Sequence, residues 1–412
     1  MAEASLTGGA AFKKRPHQGV LYMTSRTRVW VLAVSVPVII FAVVGGYLGQ
    51  VMAKDDTYQH LRVFDDVVAH VVNNYVEEVD IKQAMRGAMR GLTEALDPDS
   101  AYLTPDLVKA YEGNNNPGPA DIGVELTRQY YLRVVSARDG SAAAKAGLRT
   151  GDFIRAIDKR PTRDMSVYEG ARLLRGAVGS KVALLVIRGN AADPHEVTVA
   201  RERTAGPDLT TRMANANTGY VRLIEFTKET PARLRQAFEA LAKTGATRYI
   251  VDLRGTARGD LDDGISTARL FVSNGTLAVR QTKTQKEAIA AQSSDGSLVA
   301  PIVLLVDQGT AAAAEMFASA LSGNHRAELV GERTLGRAAR QQLVKLPDGS
   351  GLLLSSVRYL TPTSTGIHER GLAPDVEVEQ PDVEFGAAPP AKDMTLDKAI
   401  ERLAEKTEKK AA

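Results

Sequence analysis

The chain has 412 residues, and 52 Lys and Arg against 49 Asp and Glu leave a net charge of +3. That balance gives no global field to recruit nucleic acid, and a mean hydropathy of −0.16 excludes a protein built from many membrane spans. Cysteine is absent, which excludes a disulfide scaffold, cysteine-ligated zinc and a thiol nucleophile.

The length suggests two to four domains, and 44% apolar with 25% charged residues is globular rather than disordered. Val29 to Ala53 is a run of 25 residues without a charge, and roughly 20 suffice to cross a bilayer. Lys13, Lys14, Arg15, Arg26 and Arg28 precede it; Lys54, Asp55 and Asp56 follow. The positive-inside rule then predicts a cytoplasmic tail over 1–28, an anchor over 29–53 and the rest outside the cytoplasm, in the periplasm or its equivalent. The run is longer than a usual signal core, which favours an uncleaved anchor over a signal peptide ending near Met52-Ala53.

Residues 57–112 read as a helical segment. Leu61, Phe64, Val67, Val68, Val71, Val72, Tyr75 and Val76 recur at spacings of three and four, and Ala84, Met85, Ala88, Met89, Leu92 and Leu96 follow. Asp97-Pro98 closes the second pattern, because proline disfavours the helical region at the residue before it. After the loop Asn114–Pro119 come short strands at Ile122–Leu126, Tyr131–Val135, Phe153–Ile157 and Val182–Ile187, with a helix over Ser166–Leu174. This unit is placed at 118–203.

A third unit, 207–380, alternates strands and helices. Gly219–Leu223 is a strand, and Thr230 caps a helix that has Pro231 at its first position. Tyr249–Leu253 and Ile302–Val306 are apolar runs suited to strands covered on both faces. Ala311–Leu321 is a helix stopped by Gly323. Pro381–Pro390 reads as a linker, and Leu396–Lys409 as an amphipathic helix within a terminal unit at 391–412. The fold class is α/β: an anchored chain with a helical segment, a β-rich unit and a layered core.

Six colinear segments carry a family resemblance: Asn73–Thr104; Asp121–Glu125 with AAAKAGL (142–148) and GDFIRAID (151–158); YIVDLRGTARG (249–259); VDQGTAAAAE (306–315); LVGERTLGRAARQ (329–341); and RYLTPTSTGIHERGLAPD (358–375). Over about 57–380 the chain resembles the C-terminal processing peptidases, or tail-specific proteases, extracytoplasmic serine peptidases that carry a PDZ domain. The resemblance implies a PDZ-like unit at 118–203, a peptidase core at 207–380, and a serine nucleophile with a lysine base.

A serine hydroxyl needs a base to become a nucleophile, and a lysine serves only if its pKa is lowered. The family's Gly-[Ser/Thr]-Ala-Ser-Ala-Ser-Glu falls on Gly309–Glu315 and puts the nucleophile position at Ala312. Its Phe-Gly-Lys-Gly falls on Leu335–Ala338 and puts the base position at Arg337. The 25-residue gap between the two matches the family, and the polar partner is kept as Gln341. The oxyanion region is expected around Gly259 and Ala313, with Arg258 replacing one glycine of a pair. Alanine has no oxygen to attack with, and guanidinium stays protonated. Ala314, Ala338 and Arg258 also depart from the pattern, in three segments, a scatter that fits natural loss rather than a designed knockout. Thr310 and Ser319 are the substitute nucleophiles to consider, and neither has an identifiable base. The six histidines show no metal-ligand spacing.

A PDZ unit receives an extended peptide as an added strand and holds its terminal carboxylate in backbone N–H groups. Ile122, Gly123, Val124 and Glu125 are the expected carboxylate loop and receiving strand, with Val167, Ala171 and Leu174 as a pocket wall or as plain core. Arg337 reads either as a solvated charge or as a cation holding a peptide carboxylate. The leading expectation is an anchored pseudopeptidase; the alternative is an active serine endopeptidase with displaced catalytic residues. The expected partners are peptide or protein C-termini through the PDZ unit, the membrane through 29–53, and an active homologue that the chain regulates. No nucleic acid, cofactor or metal is expected.

Overall fold

The computed structural model describes residues 30, 34–36, 38, 58–189, 194–204, 206–381, 383–388 and 390–411. The chain forms two compact units, residues 1–84 and 85–412. In the first, helix α1 covers 58–74. Its apolar face is real but uncovered: Leu61, Phe64, Val67, Val71 and Val72 are all exposed.

The expected single-pass localisation is corrected here. Among the described residues no helix is long and apolar enough to cross a membrane. Helix α1 carries Arg62, Asp65 and Asp66 within its turns, which lipid would not accept. The tail 1–28 and most of 29–53 lie outside the described residues.

Helix α2 (Ile81–Glu94) leads to β1 (Ala101–Leu103) and α3 (Pro105–Glu112). The β-rich unit follows: β2 (Val124–Gln129), β3 (Tyr131–Ala137), α4 (Ala142–Lys145), β4 (Phe153–Ile157), β5 (Arg160–Pro161), α5 (Val167–Leu174), β6 (Lys181–Ile187) and β7 (His195–Ala200). Their antiparallel sheet runs β2-β3-β4-β6-β7, so β2 is an edge strand. Helix α5 begins with a capping box, in which the Ser166 hydroxyl and the Glu169 carboxylate satisfy each other's backbone N–H groups.

The core comprises β8 (Leu209–Asn215), β9 (Thr218–Leu223), α6 (Thr230–Lys243), β10 (Arg248–Asp252), α7 (Leu261–Ala268), β11 (Thr276–Gln281), β12 (Lys286–Ala290), β13 (Ile302–Val306), α8 (Ala313–Gly323), β14 (Ala327–Gly331), β15 (Ala339–Lys345), β16 (Gly351–Leu360), β17 (Val376–Glu377) and α9 (Met394–Ala411). The central sheet, β17-β14-β13-β10-β9-β8, is parallel except for the β8–β9 hairpin. Alternate residues of β13 serve opposite faces. Ile302, Leu304 and Val306 join the core with α6, α7 and α8, while Val303 and Leu305 pack with Ala399 and Leu403 of α9. A second sheet, β1-β16-β11-β12 with β15 on β16, covers the other side of α8.

Two local expectations change. Glu229, not Thr230, sits at the N-cap of α6, and Thr230 instead accepts the Thr227 N–H at 2.8 Å. Within the expected linker, Phe385 stacks on His195 with ring centroids 4.6 Å apart, and Arg188 lies over its ring. Arg149 also donates to the Ala387 carbonyl at 2.9 Å. The segment is a strap across the β-rich unit rather than a free tether.

Candidate functional site

The site grows from the end of β13. Asp307 turns the chain by accepting the N–H groups of Gly309 at 2.9 Å and of Gly255 at 2.8 Å. Burial pushes the Asp307 carboxyl up. Gly309 is required for space: a Cβ there would lie 2.6 Å from Thr150 Oγ1 and 2.9 Å from the Val135 carbonyl oxygen. Thr310 is fully buried, and its Oγ1 lies 2.9 Å from the Leu253 carbonyl oxygen and 3.1 Å from Asp307 Oδ1. Its hydroxyl is occupied in holding the turn.

Ala312 then adopts φ +53° and ψ −119°, and α8 starts at Ala313. An L-residue there carries strain of about 1–3 kcal/mol. This is a strand-to-helix elbow at the end of β13, a geometry suited to presenting a nucleophile, although Ala312 itself is buried here. The helix therefore begins two residues later than the apolar pattern predicts. Residues Ala313 to Leu321 are all buried, Glu315 and Ser319 included. Among the described residues Ser319 Oγ has no hydrogen-bond partner and no base.

Glu315 organises the site, and the apolar pattern gave it no role. Its carboxylate accepts from the Ala312 N–H at 3.2 Å, the Gly336 N–H at 2.7 Å, the Arg337 N–H at 2.7 Å and the Thr334 hydroxyl. Burial pushes its pKa up, and these four donors pull the other way. A lone carboxylate within an otherwise apolar helix is the signal that marks it. Gly264 is a second such residue: a Cβ on it would lie 2.0 Å from the Ala313 carbonyl oxygen, so glycine alone lets α7 meet the start of α8.

Arg337 is neither solvated nor free. Its Nη2 donates to Asp99 Oδ1 at 3.0 Å and to the Leu126 carbonyl of β2. Burial works to lower its pKa, but the carboxylates of Asp99, Glu125 and Glu315 outweigh it and hold the guanidinium charged. Gln341 points elsewhere, with Nε2 3.5 Å from Ser355 Oγ.

Gly259 has φ +123°, and a Cβ there would lie 2.6 Å from Phe226. It immediately precedes Asp260, the N-cap of α7. Gly259 and Ala313 thus both border α7. Arg258 bridges to the β-rich unit: Nε donates to Glu125 Oε1 at 2.8 Å, and Nη2 lies 3.5 Å from Asp121 Oδ2. Glu125, Asp121 and Glu225 hold this guanidinium charged against the opposing effect of burial.

The expected peptide-binding residues separate into two groups. Ile122 and Leu174 belong to the core of the β-rich unit. Val124 and Val167 are partly buried against it, Glu125 is partly exposed, and Ala171 is exposed. Gly123 (φ +83°) has a packing reason of its own, since a Cβ would lie 2.3 Å from Ser141 Cβ.

Family models match in two places: peptidase family S41 over residues 217–378 and a PDZ domain over 133–188. A carboxy-terminal-processing protease of Bartonella bacilliformis is 30% identical over 360 residues, covering 83% of each chain. The carboxy-terminal processing protease CtpA of Bacillus subtilis is 30% identical over 316 residues, 76% of this chain and 67% of that one. The solved photosystem II D1 C-terminal processing protease superposes with a TM-score of 0.65 at 28% identity, covering 77% of this chain and 86% of that one. With this identity over most of both lengths, the chain belongs to the carboxy-terminal processing proteases of peptidase family S41.

Proposed function

We propose that this chain is a pseudopeptidase: it keeps the peptidase scaffold, binds peptide or protein C-termini through its PDZ unit, and does not cleave them. The observation that carries this reading is the elbow. Ala312 holds the strained conformation that would present a nucleophile, and it has no atom to present. In a well-studied serine protease, loss of the nucleophile alone costs about six orders of magnitude in kcat.

The competing reading, an active endopeptidase with displaced residues, loses support from the occupied Thr310 hydroxyl and the buried, baseless Ser319. A regulatory role beside an active homologue is a form of the binding reading. The test incubates the purified full chain with an unfolded protein and with fluorescent peptides ending in apolar residues. Binding of free-acid peptides but not of their amides, without cleavage, is the expected result. Cleavage abolished by Thr310→Ala or Ser319→Ala would overturn it.

A further inference from the structure

Two of the arginines at family-divergent positions face the same strand. The peptide-receiving edge of β2 is open in the sheet order. Leu126 pairs with Val134 of β3, yet Val134 commits its backbone to the β4 side, accepting the Gly151 N–H at 2.9 Å and donating to the Asp152 carbonyl at 2.8 Å. The Leu126 carbonyl opposite it therefore faces the open edge, where an incoming peptide N–H would bond. Arg337, from the base position, already donates to that carbonyl. Arg258, one residue before Gly259, binds Glu125 next to it in the chain.

We propose that Arg258 and Arg337 form a two-point latch that holds the PDZ unit on the peptidase core and occupies the β2 edge. A peptide strand then completes its pairing along β2 only as Arg337 leaves Leu126. The two N–H bonds of Nη2 reach the Asp99 carboxylate and the Leu126 carbonyl at once, and the guanidinium stays charged there. Both arginines are largely buried, at 17% and 16% side-chain exposure for Arg258 and Arg337, so water competes little for their partners. The ligand that releases the latch is an extended peptide with a free carboxylate, so this inference rests on the binding function proposed above.

The chain has no cysteine, so spin labels can be placed cleanly at Thr198→Cys on exposed β7 and Glu239→Cys on exposed α6. Pulsed electron resonance on the full chain should give one narrow distance distribution. Arg258→Met with Arg337→Met should add a longer second population. Superimposable distributions would overturn the latch. If the double variant does not fold, Glu125→Gln and Arg337→Met, tested singly, should each broaden the distribution, and failure of both to do so would overturn it. In a second arm, a fluorescent decapeptide ending in Ala-Ala-Val should bind the latch variants about tenfold more tightly than the parent, the loss of one charge-assisted competitor. Unchanged affinity overturns the competition. If the peptide binds neither parent nor variants, the binding function fails, and the latch is decided by the distances alone.

Discussion

The Glu315 carboxylate accepts the Arg337 backbone N–H at 2.7 Å, so a residue one turn into α8 fixes the loop that carries Arg337. The same Oε2 accepts the Ala312 N–H at 3.2 Å. One buried side chain thus joins the backbones of Ala312 and Arg337. None of these bonds uses the side chain of Ala312 or Arg337, so the frame stands whatever side chains those positions carry.

Glu315→Gln should therefore destabilise the chain, although it removes a buried charge. In either amide orientation, two of the four donors face an NH2 group, and each buried donor left unsatisfied costs about 1–3 kcal/mol. We expect a loss of about 2–4 kcal/mol at neutral pH, read as a lower urea midpoint. A midpoint at or above that of the parent would show that the carboxylate does not hold the frame.

Ala312→Gly should behave unlike its neighbour Ala314→Gly. Glycine at φ +53° relieves strain of about 1–3 kcal/mol. Against that stand about 0.4–1 kcal/mol of unfolded-chain entropy and about 0.8 kcal/mol for one buried methyl. The net effect is expected to be neutral or stabilising by about 1 kcal/mol. Ala314 lies within α8 and is fully buried, so its glycine variant should lose about 1–2 kcal/mol. Thermal melts of the two variants check this; equal losses would mean that the elbow carries no strain.

The parts of this fold that were legible in the sequence are those where one physical signal dominates. The apolar runs Phe153–Ile157 and Ile302–Val306 coincide with the limits of β4 and β13, because short apolar runs between turn residues have few other solutions. Ser166 was legible as the start of α5, because a hydroxyl three residues before a glutamate makes a capping box. The apolar pattern places the start of α8 two residues early, since backbone strain at an alanine leaves no mark in composition. The partners of Arg337 and Arg258 were illegible for another reason. Asp99 lies 238 residues from Arg337 in the chain, and pairings at that range follow from domain placement rather than local pattern. Phe385 had a readable signal, a lone aromatic in a proline-bounded stretch, that composition alone reads as linker.

Restoring Ala312→Ser with Arg337→Lys should return little activity, and the reason is Asp99. A base must lose its proton, but the carboxylate 3.0 Å from the present guanidinium would hold a lysine ammonium charged. Adding Asp99→Asn removes that charge and lets burial lower the lysine pKa. The triple variant should cleave an unfolded substrate about tenfold faster than the double, for each pKa unit regained near working pH. Equal rates in the two variants would place the new lysine away from Asp99.

Asp97 should govern stability in acid. Its buried carboxylate accepts the Ser100 N–H at 2.8 Å and the Ser100 hydroxyl at 3.0 Å, and His368 Nε2 lies 3.8 Å away. Burial works to raise its pKa, but His368 and Ser100 outweigh it, so the carboxyl titrates well below the usual aspartate range. The folded state therefore holds its proton less tightly than the unfolded chain, whose aspartates titrate near about 3.9. The resulting stability is present above about pH 4 and is lost as pH falls toward the folded value. Asp97→Asn should cost about 2 kcal/mol at pH 7 and should flatten the fall in stability between about pH 4 and 2. Urea titrations of both proteins across that range give the slope directly. Parallel slopes would assign the acid sensitivity to other carboxylates and leave Asp97 with a packing role alone.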